Sequence, residues 1–244
     1  MTIEDVLTRT LEFVTSDTSY RKYDLAPVAH DATLTREDTG VANWLNARMS
    51  PIEIDAILER APAIEAALAQ IPPSATLTAA DEEIPWVALA ELMAAFEGVP
   101  KVGLPRATKV LHKKRPALIP ILDSVIERYL RSVDRIIRRG GFAVYAPALI
   151  RSYKRELDVA LPTLRALQLE LHARDIELSE CRLLDLLLWG YSGTYTPIYA
   201  RTGAGASIPA PSRASVATFA GVDVFRDDDA GYLPGWPSTR QDSC

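Results

Sequence analysis

The stretch 96-FEGVPKVGLPRATKVLHKKRPALIPILDSVIERYLRSVDRIIRR-139 decides how the rest of the chain is read. Gly98, Pro100 and Gly103 mark a turn, and apolar periodicity resumes from Leu104 to Lys113. Pro116 and Pro120 break that helix before another begins at Asp123. The pattern predicts a helical hairpin followed by a helix that opens on a carboxylate.

Charge sets this stretch apart. Between Lys101 and Arg139 there are eleven Lys and Arg against three acids, Asp123, Glu127 and Asp134, in a chain whose net charge is -5. A basic stripe on an acidic protein is the footprint of a phosphate-bearing partner. The plainer reading is a solvated helix face. Gly103 permits close backbone approach, the helix after it presents unpaired N–H groups and its dipole, and Pro105 suits the first turn. Candidate phosphate contacts are therefore Lys101, Gly103, Arg106, Lys109, His112, Lys113, Lys114 and Arg115.

The run Val102-Gly103-Leu104-Pro105-Arg106-Ala107, with Pro116, Pro120 and Asp123 downstream, resembles the helix-hairpin-helix DNA glycosylase superfamily over about residues 85 to 140. That resemblance implies an all-helical domain that flips a base out of double-stranded DNA, with Asp123 as the catalytic carboxylate and no cofactor. Lys101 stands where the superfamily has its first hairpin glycine, which calls for an adjusted turn. Pro105 stands where bifunctional members carry a lysine, so an imine-forming step lacks its amine and a monofunctional enzyme is implied. A damaged base, or a modified base in phage DNA as a defence, is the implied target. Asp before an apolar run is also a good helix cap, so catalysis and capping both stand for Asp123. Over about residues 20 to 190 the chain is also similar to an uncharacterised bacterial family, through Tyr23-Asp24, Leu34 to Asp38, His112 to Pro116, and Arg182 to Asp185 with Trp189.

Outward from the centre the reading is helical. Ile3, Val6, Leu7, Leu11 and Val14 suggest an opening amphipathic helix, and Ser16 to Leu34 reads as a loop carrying Tyr23 and Asp24. Thr35 and Asp38 have capping-box spacing, and Ser50-Pro51-Ile52-Glu53 starts a helix with a cap, a proline and an answering acid. Pro85 to Phe96 feeds the hairpin. Beyond Gly140-Gly141, helices are expected at Val144 to Leu157, Pro162 to His172 and Ser179 to Trp189. Tyr23, Asp24 and Trp86 are candidates for a base pocket, against the alternative that each belongs to the core or covers it. Arg182 and Asp185, on a strongly apolar helix, read as an internal ion pair.

The fold expectation is mostly α: a helical domain over residues 1–190 around a central helix-hairpin-helix, then an irregular segment over 191–244 with a short strand at Val216 to Phe225. Three scattered histidines and two cysteines give no metal-ligand spacing and no disulfide framework. No apolar run spans a bilayer and no leader is recognisable, so the expected location is cytoplasmic. The leading reading is a DNA glycosylase. The alternatives are a non-catalytic nucleic-acid-binding module and an N-glycosidase acting on free nucleosides or nucleotides.

Overall fold

A computed structural model describes residues 7–190 except 9, 13, 15–17 and 28. The expected C-terminal segment and its strand lie outside the described residues. Nine helices are followed here: α1 Thr18–Leu25, α2 Arg36–Val41, α3 Pro51–Glu59, α4 Ala61–Leu68, α5 Trp86–Ala95, α6 Leu104–Lys114, α7 Ser124–Asp134, α8 Phe142–His172 and α9 Glu180–Gly190. Single 3₁₀ turns lie at Ala42–Leu45 and Asp81–Glu83, and no strand occurs among the described residues. The mostly helical fold read from the sequence is the fold observed.

Local chemistry starts several helices where the pattern predicts. Ser50 Oγ accepts from Glu53 N while Glu53 answers on Ser50 N, and Thr35 and Asp38 form the same reciprocal box. Asp123 caps α7, accepting from Val125 N and Ile126 N at 2.9 and 3.0 Å. Leu7, Leu11 and Val14, which the opening periodicity singled out, pack on the core.

Two expectations fail. The segment expected as a loop contains α1, because Tyr23, fully buried, anchors it against Leu45 and Ile121 in a small apolar cluster. The two segments expected after Gly141 are one 31-residue helix that runs through Pro147 and Pro162. An interior proline costs about 3 kcal/mol. Here Tyr153, Leu157, Ala160, Leu164, Leu167 and Leu171 form one continuous buried stripe across the second proline. Burying each leucine is worth roughly 1.5–3 kcal/mol, so packing outweighs the break.

The long helix α8 is the spine, with α5, α7 and α9 packed on it and α4 packed on α5. The turn from α5 to α6 carries Gly98 and Lys101 in the left-handed region, at φ 78° and 60°. Lys101 thus takes a glycine-like conformation, and its carbonyl accepts from Arg106 Nη1 at 2.6 Å.

Candidate functional site

Everything chemical converges on α6, the loop 116–123, the cap of α7, and α9. Leu104, Ala107, Val110 and Leu111 seat α6 in the core, but Thr108, His112 and Lys114 are buried too. The helix therefore lies inside the protein with only part of its circumference wet. Its polar side chains bond inward. Thr108 Oγ1 accepts from Leu122 N at 3.1 Å, the Ile119 carbonyl lies 2.6 Å from His112 Nδ1, and Asp185 Oδ2 accepts from Ile121 N at 3.2 Å. Three side chains from two helices thus pin the loop that delivers Asp123.

Asp123 lines a cleft of about 110 Å³ together with Asp185, Lys109, Arg182, Trp44 and Trp189. Its Oδ1 is held by the two N–H groups of α7, and its Oδ2 makes no hydrogen bond to the described residues. Burial raises its pKa, opposed by the α7 N–H groups and by Lys109 and Arg182. Asp185 lies deeper, 2% exposed, and burial pushes it up to about 8 against the pull of Arg182. Its Oδ1 is buried with no hydrogen-bond partner among the described residues. The two carboxyls therefore line one space, and burial raises both, Asp185 to about 8.

Arg182 backs this cleft. Its expected pairing with Asp185 is replaced by a two-point contact with Asp24, at 2.8 and 3.0 Å, with the guanidinium 5.7 Å from the Tyr23 ring centre. A second, larger cavity of about 590 Å³ lies beyond it, lined among others by Asp24, His112, Lys113, Gln168, Glu177 and Arg182. Since a carbonyl only accepts, His112 donates from Nδ1 and stays neutral, its pKa lowered to about 4 by burial and then by Arg182.

The phosphate contacts expected along α6 divide by burial. Arg115, 2% exposed, donates to the carbonyls of Ile71, His30 and Leu68, and Lys114, 1% exposed, bonds Asp38 and the Ala29 carbonyl. His112 is equally buried. Lys109 donates to the Leu45 carbonyl, Lys113 to those of Tyr23 and Asp24, and Arg106 to Ala47 and to Glu53. His112, Lys114 and Arg115 are thus committed inside the protein, whereas Arg106, Lys109 and Lys113 keep part of their surface in solvent while donating to loop carbonyls. Lys101 stays exposed, and Gly103, partly exposed, starts α6 in extended conformation. Exposed positive charge sits instead at Arg128, Arg131, Arg135, Arg138 and Arg139, with Asp134 among them.

The base-pocket candidates also divide. Tyr23 is core, its hydroxyl donating to the Lys109 carbonyl at 2.7 Å. Trp86 donates to the Asp81 carbonyl under Arg151 and does not line the Asp123 cleft. Asp24 serves the site through Arg182. Sequence reasoning passed over Trp44 and met Trp189 only as part of a family pattern, because an isolated tryptophan carries no spacing signal. It noticed Asp185, a lone acid in the run Leu183 to Leu188, and paired it with the wrong partner. Among the described residues no group of three His, Cys, Asp or Glu is placed to hold a metal, and no helix is long and apolar enough to cross a membrane.

Residues 4–192 match the model of a family of unknown function, DUF6308, and the chain belongs to that family. No curated protein and no solved structure matches it.

Proposed function

We propose that this member of the family is a monofunctional DNA glycosylase that hydrolyses the N-glycosidic bond of a damaged or modified base, with Asp123 as its carboxylate. The observation that carries the reading is Asp123 itself: one oxygen fixed by two main-chain N–H groups, the other open to a cleft. As a glycosidic bond breaks, positive charge develops on the sugar, and a positioned carboxylate stabilises it and directs a water onto C1′. Trp44 and Trp189 line the same cleft, and aromatic rings there suit stacking of a flipped base, with Lys22 over the Trp44 ring at 4.3 Å. An imine route lacks its amine, since Lys109, the one lysine lining the cleft among the described residues, is tied to the Leu45 carbonyl. The exposed arginines 128 to 139, on the helix that Asp123 caps and in the segment after it, are the phosphate-binding surface in this reading.

The inward bonding of the α6 cations favours a second reading, hydrolysis of a free nucleoside or nucleotide by the same carboxylate. Salt decides between them, because duplex binding through phosphates weakens steeply as salt rises and small-substrate binding much less. The direct test is base release from duplex DNA carrying damaged, deaminated or phage-type modified bases, followed by alkaline cleavage at abasic sites. Asp123→Asn keeps a good helix cap. It should lower the rate by about 10²–10⁴-fold. Equal release by wild type and variant would overturn the assignment.

A further inference from the structure

The second acid of the cleft has no part in the chemistry described so far. Asp185 lines the cleft with Asp123, Trp44 and Trp189; its Oδ2 accepts from the Ile121 N–H, and its Oδ1, with the Tyr153 side chain beside the carboxyl, is buried without a full hydrogen bond among the described residues. A buried polar atom with no partner is rare in a native structure, because it forfeits solvation and gains nothing in return. Asp185 lines the cleft where the first reading puts a base. We propose that Asp185 is the general acid of the reaction, handing a proton from Oδ1 to a ring nitrogen or exocyclic oxygen of the departing base, and that the substrates are uncharged bases.

The inference rests on the glycosylase reading and balances as follows. The C1′–N bond breaks with its electron pair leaving on the base, and the proton of Asp185 neutralises that pair. A water adds to C1′ and gives its proton to Asp123 Oδ2. Solvent then carries a proton from Asp123 back to Asp185, so that base, sugar and water are the only species changed. The uncharged substrate class follows from the walls: Lys109 and Arg182 line the cleft, so a base already cationic before cleavage is repelled and gains nothing from an acid. The groups that set the state of Asp185 are Arg182 and Cys181 on its own helix, Tyr153 on α8, Tyr23 on α1, and Asp123 and Lys109 across the cleft. Burial dominates over them and keeps the proton on through neutral pH.

The experiment uses the full chain with Asp185→Asn, which retains an acceptor for Ile121 N–H. Far-ultraviolet circular dichroism and a melting curve establish that the variant folds. On a duplex whose base is neutral, release should fall by about 10³-fold. On a duplex carrying N7-methylguanine, already cationic and in need of no proton, whatever release the wild type shows should be matched by the variant. Independently of any substrate, infrared difference spectra of wild type against variant at neutral pH should show the C=O stretch of a protonated carboxylic acid. No loss on the neutral base, an equal loss on both bases, or absence of that band would each overturn the assignment. A wild type that releases no base from any substrate would sink the glycosylase reading and this inference with it. An active wild type with an equally active variant sinks only the role of Asp185.

Discussion

Asp185→Asn should make the protein more stable as pH rises, relative to wild type. A carboxyl in water has a pKa near 3.8, and burial lifts Asp185 to about 8. Below about pH 4 the folded and unfolded states both hold the proton, and the carboxyl leaves stability unchanged. Between the two values the folded state holds a proton that the unfolded state has released, so wild-type stability falls with pH. The fall is complete once pH passes the folded value. Each unit is worth about 1.4 kcal/mol, so between about pH 5 and about pH 7.5 wild type should lose about 3 kcal/mol relative to the asparagine variant. The new amide N–H₂ facing the cleft costs about 1–3 kcal/mol where it finds no acceptor, but that offset does not vary with pH. Urea unfolding followed by circular dichroism across that range reads the difference directly. A difference that stays flat with pH, or one in which wild type gains, would refute the buried, protonated state of Asp185.

Arg182→Met should cost about 3–5 kcal/mol, since it strands the half-buried Asp24 carboxylate; pairing it with Asp24→Leu in a double-mutant cycle should recover most of that, and additive melting temperatures would show that the pair is uncoupled. Arg115→Ala should lower stability by about 3 kcal/mol, because it orphans three carbonyls, and should leave the salt dependence of duplex binding unchanged. Arg138→Glu with Arg139→Glu should do the reverse, reducing the slope of log affinity against log salt by about 1–2 with little change in melting temperature; a flat response to the surface pair would remove DNA from the proposal.

Much of the helical framework was legible because its signals are local. The capping boxes at Thr35 and Ser50, and the proline-punctuated run into Asp123, are readable within a few residues and stand where expected. Net charge is ambiguous for the opposite reason. A run of lysines and arginines says how much charge a segment carries and nothing about which way it points. On α6 the carbonyls that receive those cations come from residues 23 to 71, far away in sequence. Arg182 shows the same limit. Asp185 is its neighbour on the helix, yet its partner Asp24 lies 158 residues away. Continuity through Pro162 was likewise decided by the buried stripe of α8 rather than by any residue near the proline.

The way α6 grips its surroundings also fixes an order of events during folding. Its cations close contacts to residues 44 to 90 positions away, reaching the carbonyls of Tyr23, Ala29, His30, Leu45, Ala47, Leu68 and Ile71. Such closures carry an entropic penalty that local helix formation does not. Each clasp rewards the chain only once α6 is already a helix with its side chains aimed. The described residues from Thr18 to Ala47 should therefore dock late and release early, with amide exchange there running ahead of exchange in the α5–α8 spine.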